Sequence, residues 1–301
     1  MNFQSSLILA AAAALISSAS ATVTMDWVTV GNANNAADSL TRYGAVDHAY
    51  QIGKYEVTNA QYGEFLNAAA KTDSYGLYST GMSSRGITQS GSSGNFTYSV
   101  TSALANRPVV YVSWFDAARF SNWMMNGQGS GSTETGAYTL NGVTSGIINK
   151  DVGATIYIPT EDEWYKAAYY NGSTSTYSLY PNGQNTITVA DANYAREVDS
   201  TTDVGIYSGD PSSYGTYDQG GNVWELNDAV VSDSWRGLRG GAWNAFGYGG
   251  LGYDLRSSTR GDIEPFYEYL TIGFRVASVP EPTSMVLTML ASGMMLIRRK
   301  R

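Results

Sequence analysis

The chain has 301 residues, 43% hydrophobic and 13% aromatic, with 33 glycines, 23 tyrosines, 7 tryptophans, one histidine and no cysteine. That apolar content excludes a disordered chain, and so much Gly, Tyr and Trp excludes a helical bundle in favour of short elements and long loops. A formal charge of −8 and a pI near 4.7 argue against a nucleic-acid partner, while the missing thiols remove disulfides, thiolate metal centres and cysteine nucleophiles.

In chain order, the first segment is MNFQSSLILAAAAALISSASA, with an apolar run from Leu7 to Ile16 and the small-residue end Ala19-Ser20-Ala21. It predicts a secretory signal peptide over residues 1–21, although no Lys or Arg precedes the run. AYQIGKYEV then reads as a strand. Thr58 and Gln61 form a capping box, in which a hydroxyl caps the third amide of a helix and a Gln or Glu reaches back. The helix it opens, TNAQYGEFLNAAA, sets Tyr62, Phe65, Leu66 and Ala69 on one face.

Thr80 to Phe96 is a Gly/Ser-rich stretch without periodicity and predicts a surface insertion. RPVVYVS predicts a strand, and Ser113 with Asp116 opens a second helix that Gly127 can close. Asn126 to Gly146 reads as another surface insertion, ATIYIP as a strand, and Thr160 with Glu163 as the start of a third helix. IGFRVAS is the last predicted strand.

Two stretches carry candidate site residues. In YDQGGNVWELND, alternate carbonyls of an extended chain point the same way, so Gly221 and Val223 offer two oxygens flanked by the carboxylates of Asp218 and Glu225. Hard oxygen ligands of that kind suit Ca2+, with Gly220 and Gly221 letting the backbone curl and Trp224 turning to the core. The alternative is a turn whose carboxylates cap backbone amides. In Gly240 to Arg260, Trp243, Asn244, Phe246, Tyr248, Tyr253 and Asp254 stand among glycines. Aromatic faces beside amides and carboxylates suit carbohydrate, the alternative being that Trp243 and some tyrosines fill the core. His48 is the only residue around which a Ser-His-Asp triad could be built.

After Val279 the chain reads PEPTSMVLTMLASGMMLIRRKR, in which Pro280-Glu281-Pro282 precedes a 13-residue apolar run and four cationic residues. The run is shorter than the roughly 20 residues of a bilayer-spanning helix. Residues 279–301 resemble the PEP-CTERM sorting signal of Gram-negative bacteria. The resemblance implies transient membrane anchoring by a short transmembrane helix, recognition by an exosortase and delivery to the cell surface, outer membrane or extracellular matrix.

IGKYEVTNAQYGEFLN, RPVVYVSWFDAARFSNW, YIPTEDEWYKAAYY, YDQGGNVWEL, LRGGAW, LRSSTR and IGFRVA follow one another as in the formylglycine-generating enzyme, or sulfatase-modifying factor, family. The chain resembles that family from about Asp26 to Ser278, within an expected domain of residues 22–278. The resemblance implies an α+β, elaborated C-type-lectin-like fold, rich in loops, with short helices and short antiparallel strands. Active members hold copper on two thiolates, and the matching positions fall near Ala245 and Gly250, neither of which ligates copper. No copper and no inherited oxidase activity are therefore expected; a divergent oxidoreductase or an Asp/Glu hydrolase is the competing class. The resemblance also implies a structural calcium at Asp218 to Glu225, and Asn193 and Tyr194 match half of a second calcium site whose remaining loop is shortened here. Arg239, Arg256, Arg260 and Arg275 are expected to pin loops by pairing with carboxylates and carbonyls. The resulting expectation is an exported, non-catalytic protein that binds an exopolysaccharide or a surface protein.

Overall fold

The computed structural model describes residues 22–245 and 252–279. The expected signal segment, the sorting tail from Pro280, and Phe246, Tyr248 and Gly250 lie outside the described residues.

Chain order runs β1 (Trp27–Val30), β2 (Tyr50–Gly53), α1 (Asn59–Ala69), β3 (Ile87–Ser90), β4 (Thr97–Val100), α2 (Trp114–Met125), β5 (Ile156–Tyr157) and α3 (Glu161–Tyr169). It continues with β6 (Tyr170–Asn171), β7 (Thr176–Tyr177), β8 (Trp224–Val230), β9 (Arg236–Arg239), β10 (Gly261–Ile263), β11 (Ile272–Phe274) and β12 (Ala277–Ser278). One sheet has the order β1-β2-β12-β5 and a second β10-β9-β8-β11, and β3-β4 and β6-β7 are separate hairpins. All pairings are antiparallel except β11 with β8.

All three helices begin where their capping boxes predict: Thr58 with Gln61, Ser113 with Asp116, and Thr160 with Glu163 each make both reciprocal hydrogen bonds. Such a cap contributes about 1 kcal/mol to a short helix. The first two helices meet over an aromatic cluster in which Phe65 lies 5.3 Å from Tyr62, 5.4 Å from Phe120 and 5.3 Å from Trp123. Phe274 of β11 closes it from the second sheet, 5.4 Å from Phe120.

The strand expectations need correction. RPVVYVS forms no strand: Tyr111 has φ +61°, Val109 N donates to Val57 O and Tyr111 N to Tyr269 O, so its backbone is divided among separate partners. IGFRVAS is split, with β11 in one sheet and β12 in the other, and Arg275 sits at the crossing. The two expected insertions are also more than surface. Thr80–Arg85 is a 3-10 helix leading into the β3-β4 hairpin, with Met82 and Ile87 buried, and the second stretch places Ala137, Tyr138 and Leu140 in the core. Their apolar residues are spaced by turns and so give no periodic signal.

One cap residue carries a pH signature. Asp116 is buried, its Oδ2 accepts from Ser113 N at 2.8 Å and Ser113 Oγ at 2.7 Å, and burial pushes its pKa up to about 7. The folded state therefore holds this proton more tightly than the unfolded chain. Stability is lost as pH rises from about 4 to about 7, by an amount on the order of a few kcal/mol. Asp116→Asn is expected to show a smaller fall in Tm between about pH 5 and about pH 8 than the wild type, measured by thermal melts across that range.

Candidate functional site

The stretch from Tyr217 enters β8 through a knot of three chain segments. Gly221 N donates to Gly240 O at 2.9 Å, Asn222 N to Asn193 O at 2.8 Å, and Trp243 N to Asn222 O at 3.0 Å. Gly221 is required by space and by conformation: φ is +87° and a Cβ there would lie 2.3 Å from Asn193 O. Asn222, buried, accepts from Thr202 N at 3.0 Å and Asn193 Nδ2 at 3.2 Å, and its Nδ2 donates to Glu56 at 3.2 Å. Four of the six predicted calcium residues, Gly221, Val223, Asn193 and Tyr194, thus lie in or beside this knot, and Asp218 and Glu225 flank it.

The carboxylates are placed differently from the expectation. Glu225 is buried in a bidentate pair with Arg275, both bonds 2.6 Å, and its Oε2 also accepts from Trp164 Nε1 at 2.7 Å. Arg275 donates further to Gly53 O at 2.9 Å and Tyr217 O at 2.9 Å. Asp218 is half-buried beside Gly205, whose N donates to its Oδ2 at 2.6 Å, and desolvation pushes its pKa up to about 6. Glu56 was not singled out by the sequence, yet it is 1% exposed, its Oε2 has no hydrogen-bond partner among the described residues, and burial beside Asp218 raises it well above the carboxylate range. Its signal was an acidic residue inside the apolar stretch YEV. Trp224, expected in the core, is only partly buried.

Among the described residues no three His, Asp or Glu side chains gather closely enough to cage a metal by themselves. What the knot does hold is two buried carboxylates, Glu56 and Glu225, and the half-buried Asp218 against one guanidinium, together with the buried Asn193 Oδ1, which accepts from no donor among the described residues. Unmatched buried oxygen acceptors with an excess of negative charge are the donor set of a hard cation completed by backbone carbonyls. The residues therefore fit calcium. They do not fit copper held on thiolates, since the chain has no cysteine and Ala245, near the first expected position, is a buried methyl.

The expected ligand loop divides. Trp243 is 6% exposed and belongs to the wall of the knot, with its indole N–H unpartnered among the described residues. Asn244 and Asp254 are half-buried, and Tyr253, 39% exposed, stands at the surface 5.4 Å from the Arg256 guanidinium. The role expected of Tyr248 lies outside the described residues.

Arg239, Arg260 and Arg275 pair with carboxylates and carbonyls, as expected, while Arg256 meets a tyrosine hydroxyl instead. Arg239 Nε donates to Glu161 Oε1 at 2.8 Å and its NH1 to Ser257 O and Thr259 O, while Arg260 grips the same carboxylate through bonds of 2.8 and 2.6 Å. Arg256 donates to Tyr180 at 3.0 Å. His48 builds no serine triad: its ring nitrogens face Asp47 at 2.7 Å and Glu163 at 3.1 Å, and the bond to Glu163 raises its pKa.

The sulfatase-modifying factor enzyme 1-like domain family matches residues 16–279. No curated protein matches the chain. Among solved structures, Treponema denticola variable protein 1 is similar at 22% identity and a TM-score of 0.59, covering 87% of this chain and 98% of that one. The crystal structure of CarF is similar at 22% identity and a TM-score of 0.58, covering 86% of this chain and 100% of that one. PvdO from Pseudomonas aeruginosa follows at 18% identity and a TM-score of 0.51, covering 84% and 94%. These likenesses are of fold, an elaborated, loop-rich α+β domain of the C-type-lectin-like kind. The order of the seven sequence blocks, the Arg275–Glu225 knot they assemble and the match over residues 16–279 converge: the chain belongs to the sulfatase-modifying factor enzyme 1-like domain family.

Proposed function

We propose that this domain is an exported, non-oxidising member of its family that binds carbohydrate outside the cell and uses calcium structurally. The observation that carries the non-oxidising reading is a chain without a single cysteine, with the buried methyl of Ala245 near the position where the resemblance implies a copper thiolate. Cu(I) is selected by soft sulfur ligands, and carbonyl, carboxylate and amide oxygens are hard. The carbohydrate reading is supported by the chain's aromatic content and by Tyr253, which stands exposed next to Asp254, with Asn244 half-buried in the same stretch of chain. Purified mature protein incubated with copper, oxygen and a Cys-containing sulfatase peptide is expected to form no aldehyde by mass spectrometry; aldehyde formation would return the domain to the oxidases.

Calcium would be held by Asp218 and by the Gly221 and Val223 carbonyls, with Glu225 contributing what its Arg275 pair leaves free. Asn193 Oδ1 and the Tyr194 carbonyl supply half of a second site. When bound, the ion supplies positive charge to a knot in which carboxylates outnumber guanidiniums. Chelation with EGTA is expected to lower Tm by about 5–10 °C, the shift for a ligand at about 100 times its Kd, with calcium restoring it and Asp218→Asn shrinking the response. An unchanged Tm with no calcium in the purified protein would leave the stretch as a turn.

For localisation, the reading is export across the inner membrane of a Gram-negative bacterium, transient anchoring through the tail, and an exosortase as sorting partner. Among the described residues no helix is long and apolar enough to cross a membrane. Mass spectrometry of surface-released protein is expected to find an N-terminus after Ala21 and no RRKR end; an intact basic end would replace sorting by simple tail anchoring.

A further inference from the structure

Between β1 and β2, residues 31–49 run without helix or strand. Loops of that length inside a compact domain are uncommon and are usually functional. This one is held in place by long-range hydrogen bonds. Asn35 Nδ2 donates to Gly44 O and to Tyr177 Oη, both at 2.7 Å, its Oδ1 accepts from Val46 N at 3.2 Å, and Gly44 N donates to Asp162 at 2.8 Å. The buried Lys166 donates to Asn32 O at 3.0 Å, and Tyr214 donates to the Asn32 side chain at 2.9 Å.

The loop so fixed forms one wall of two open clefts, of about 710 and about 610 Å3. Asn34 and Asn35 line both, so the two are arms of one trough. In the first arm Tyr170, Ser175, Thr176 and Tyr177 of the β6-β7 hairpin face the loop, and in the second arm Lys150 and the start of α3 face Asp47 and His48 of the loop itself. Asn35 is fully committed to holding the wall. Asn34 is exposed, and its carboxamide has no hydrogen-bond partner among the described residues.

We infer that this trough is a binding site for a neutral sugar chain, with the free Asn34 carboxamide at the junction of the two arms as its central hydrogen-bonding contact. This rests on the carbohydrate reading above and places the ligand away from the Gly240 to Arg260 loop. Amides, hydroxyls and carboxylates on a preorganised wall, with the half-buried Tyr177 ring backed by the buried Tyr170 at 4.9 Å, match sugar hydroxyls and C–H faces better than an apolar molecule. Lys150 and His48 stand against the three carboxylates of Asp47, Asp162 and Glu163, so the second arm has no excess of positive charge for a polyanion in either protonation state of the imidazole. Both His48 nitrogens face carboxylates, so the geometry assigns binding and no proton transfer.

The test is a glycan array with full-length mature protein, run on wild type, Ala33→Trp, Asn34→Gly and Tyr253→Ala, with thermal melts to confirm folding. Ala33 lines the first arm, and a tryptophan there obstructs it from the exposed side. Asn34 has φ +61°, a conformation glycine takes without strain, so Asn34→Gly removes the carboxamide and keeps the backbone. Neutral glycans are expected to bind wild type and Tyr253→Ala alike, to lose binding to Ala33→Trp, and to bind Asn34→Gly about 5- to 10-fold more weakly, the loss of one hydrogen bond. If wild type binds and only Tyr253→Ala abolishes it, the carbohydrate reading stands and the trough is overturned. Binding of polyanionic glycans alone overturns the neutral ligand, and no binding by wild type overturns both.

Discussion

The buried pair between Arg275 and Glu225 is the contact on which the rest of the domain depends. The last segment of the described chain crosses from one sheet to the other, and Arg275 lies at the crossing between β11 and β12. Its guanidinium grips Glu225 of β8 on one side and the carbonyls of Gly53, the last residue of β2, and Tyr217, before the glycine turn, on the other. Trp164 of α3 donates to the same carboxylate. One ion pair therefore ties both sheets, a helix and the turn together, and because both partners are fully buried, removing either would leave an unmatched charge in the interior at about 3–5 kcal/mol.

That arrangement also shapes the chemistry around it. Arg275 satisfies Glu225, but Glu56 and Asp218 lie within its electrostatic reach and remain in excess of positive charge. Burial then favours either protonation or a bound cation, and the Asn193 side chain leaves another oxygen without a donor in the same knot. The framework of the family is thus fully built in a chain that has no thiol. Exposed side chains that could change without disturbing this framework lie outside the knot, among them Tyr253 and Asn34.

Much of the local structure was legible in advance. The three capping boxes are codes read over four consecutive residues, and each marked a helix start to the residue. The pinning role of Arg239, Arg260 and Arg275 also followed from the chemistry of a buried guanidinium, which must meet carboxylates or carbonyls. RPVVYVS misled because strand composition does not reveal that Tyr111 takes a left-handed conformation and that its partners are scattered loops. Trp243 was equally ambiguous: tryptophan among glycines reads as displayed until the Asn222 turn is seen to lie against it.

By itself, the sequence determined where the helices start, which metals lack ligands and which family the chain resembles, because these depend on residue identity and on spacing within a few positions. Only the tertiary structure decided that Glu225 faces Arg275 across 50 positions, that Glu56 is buried within electrostatic reach of Asp218, and that Tyr214 braces Asn32 across 182 positions at the wall of a trough. Those outcomes depend on which distant groups share a desolvated space. A buried carboxylate or amide must take whatever partner the packing brings within hydrogen-bonding distance, and no local pattern encodes that choice.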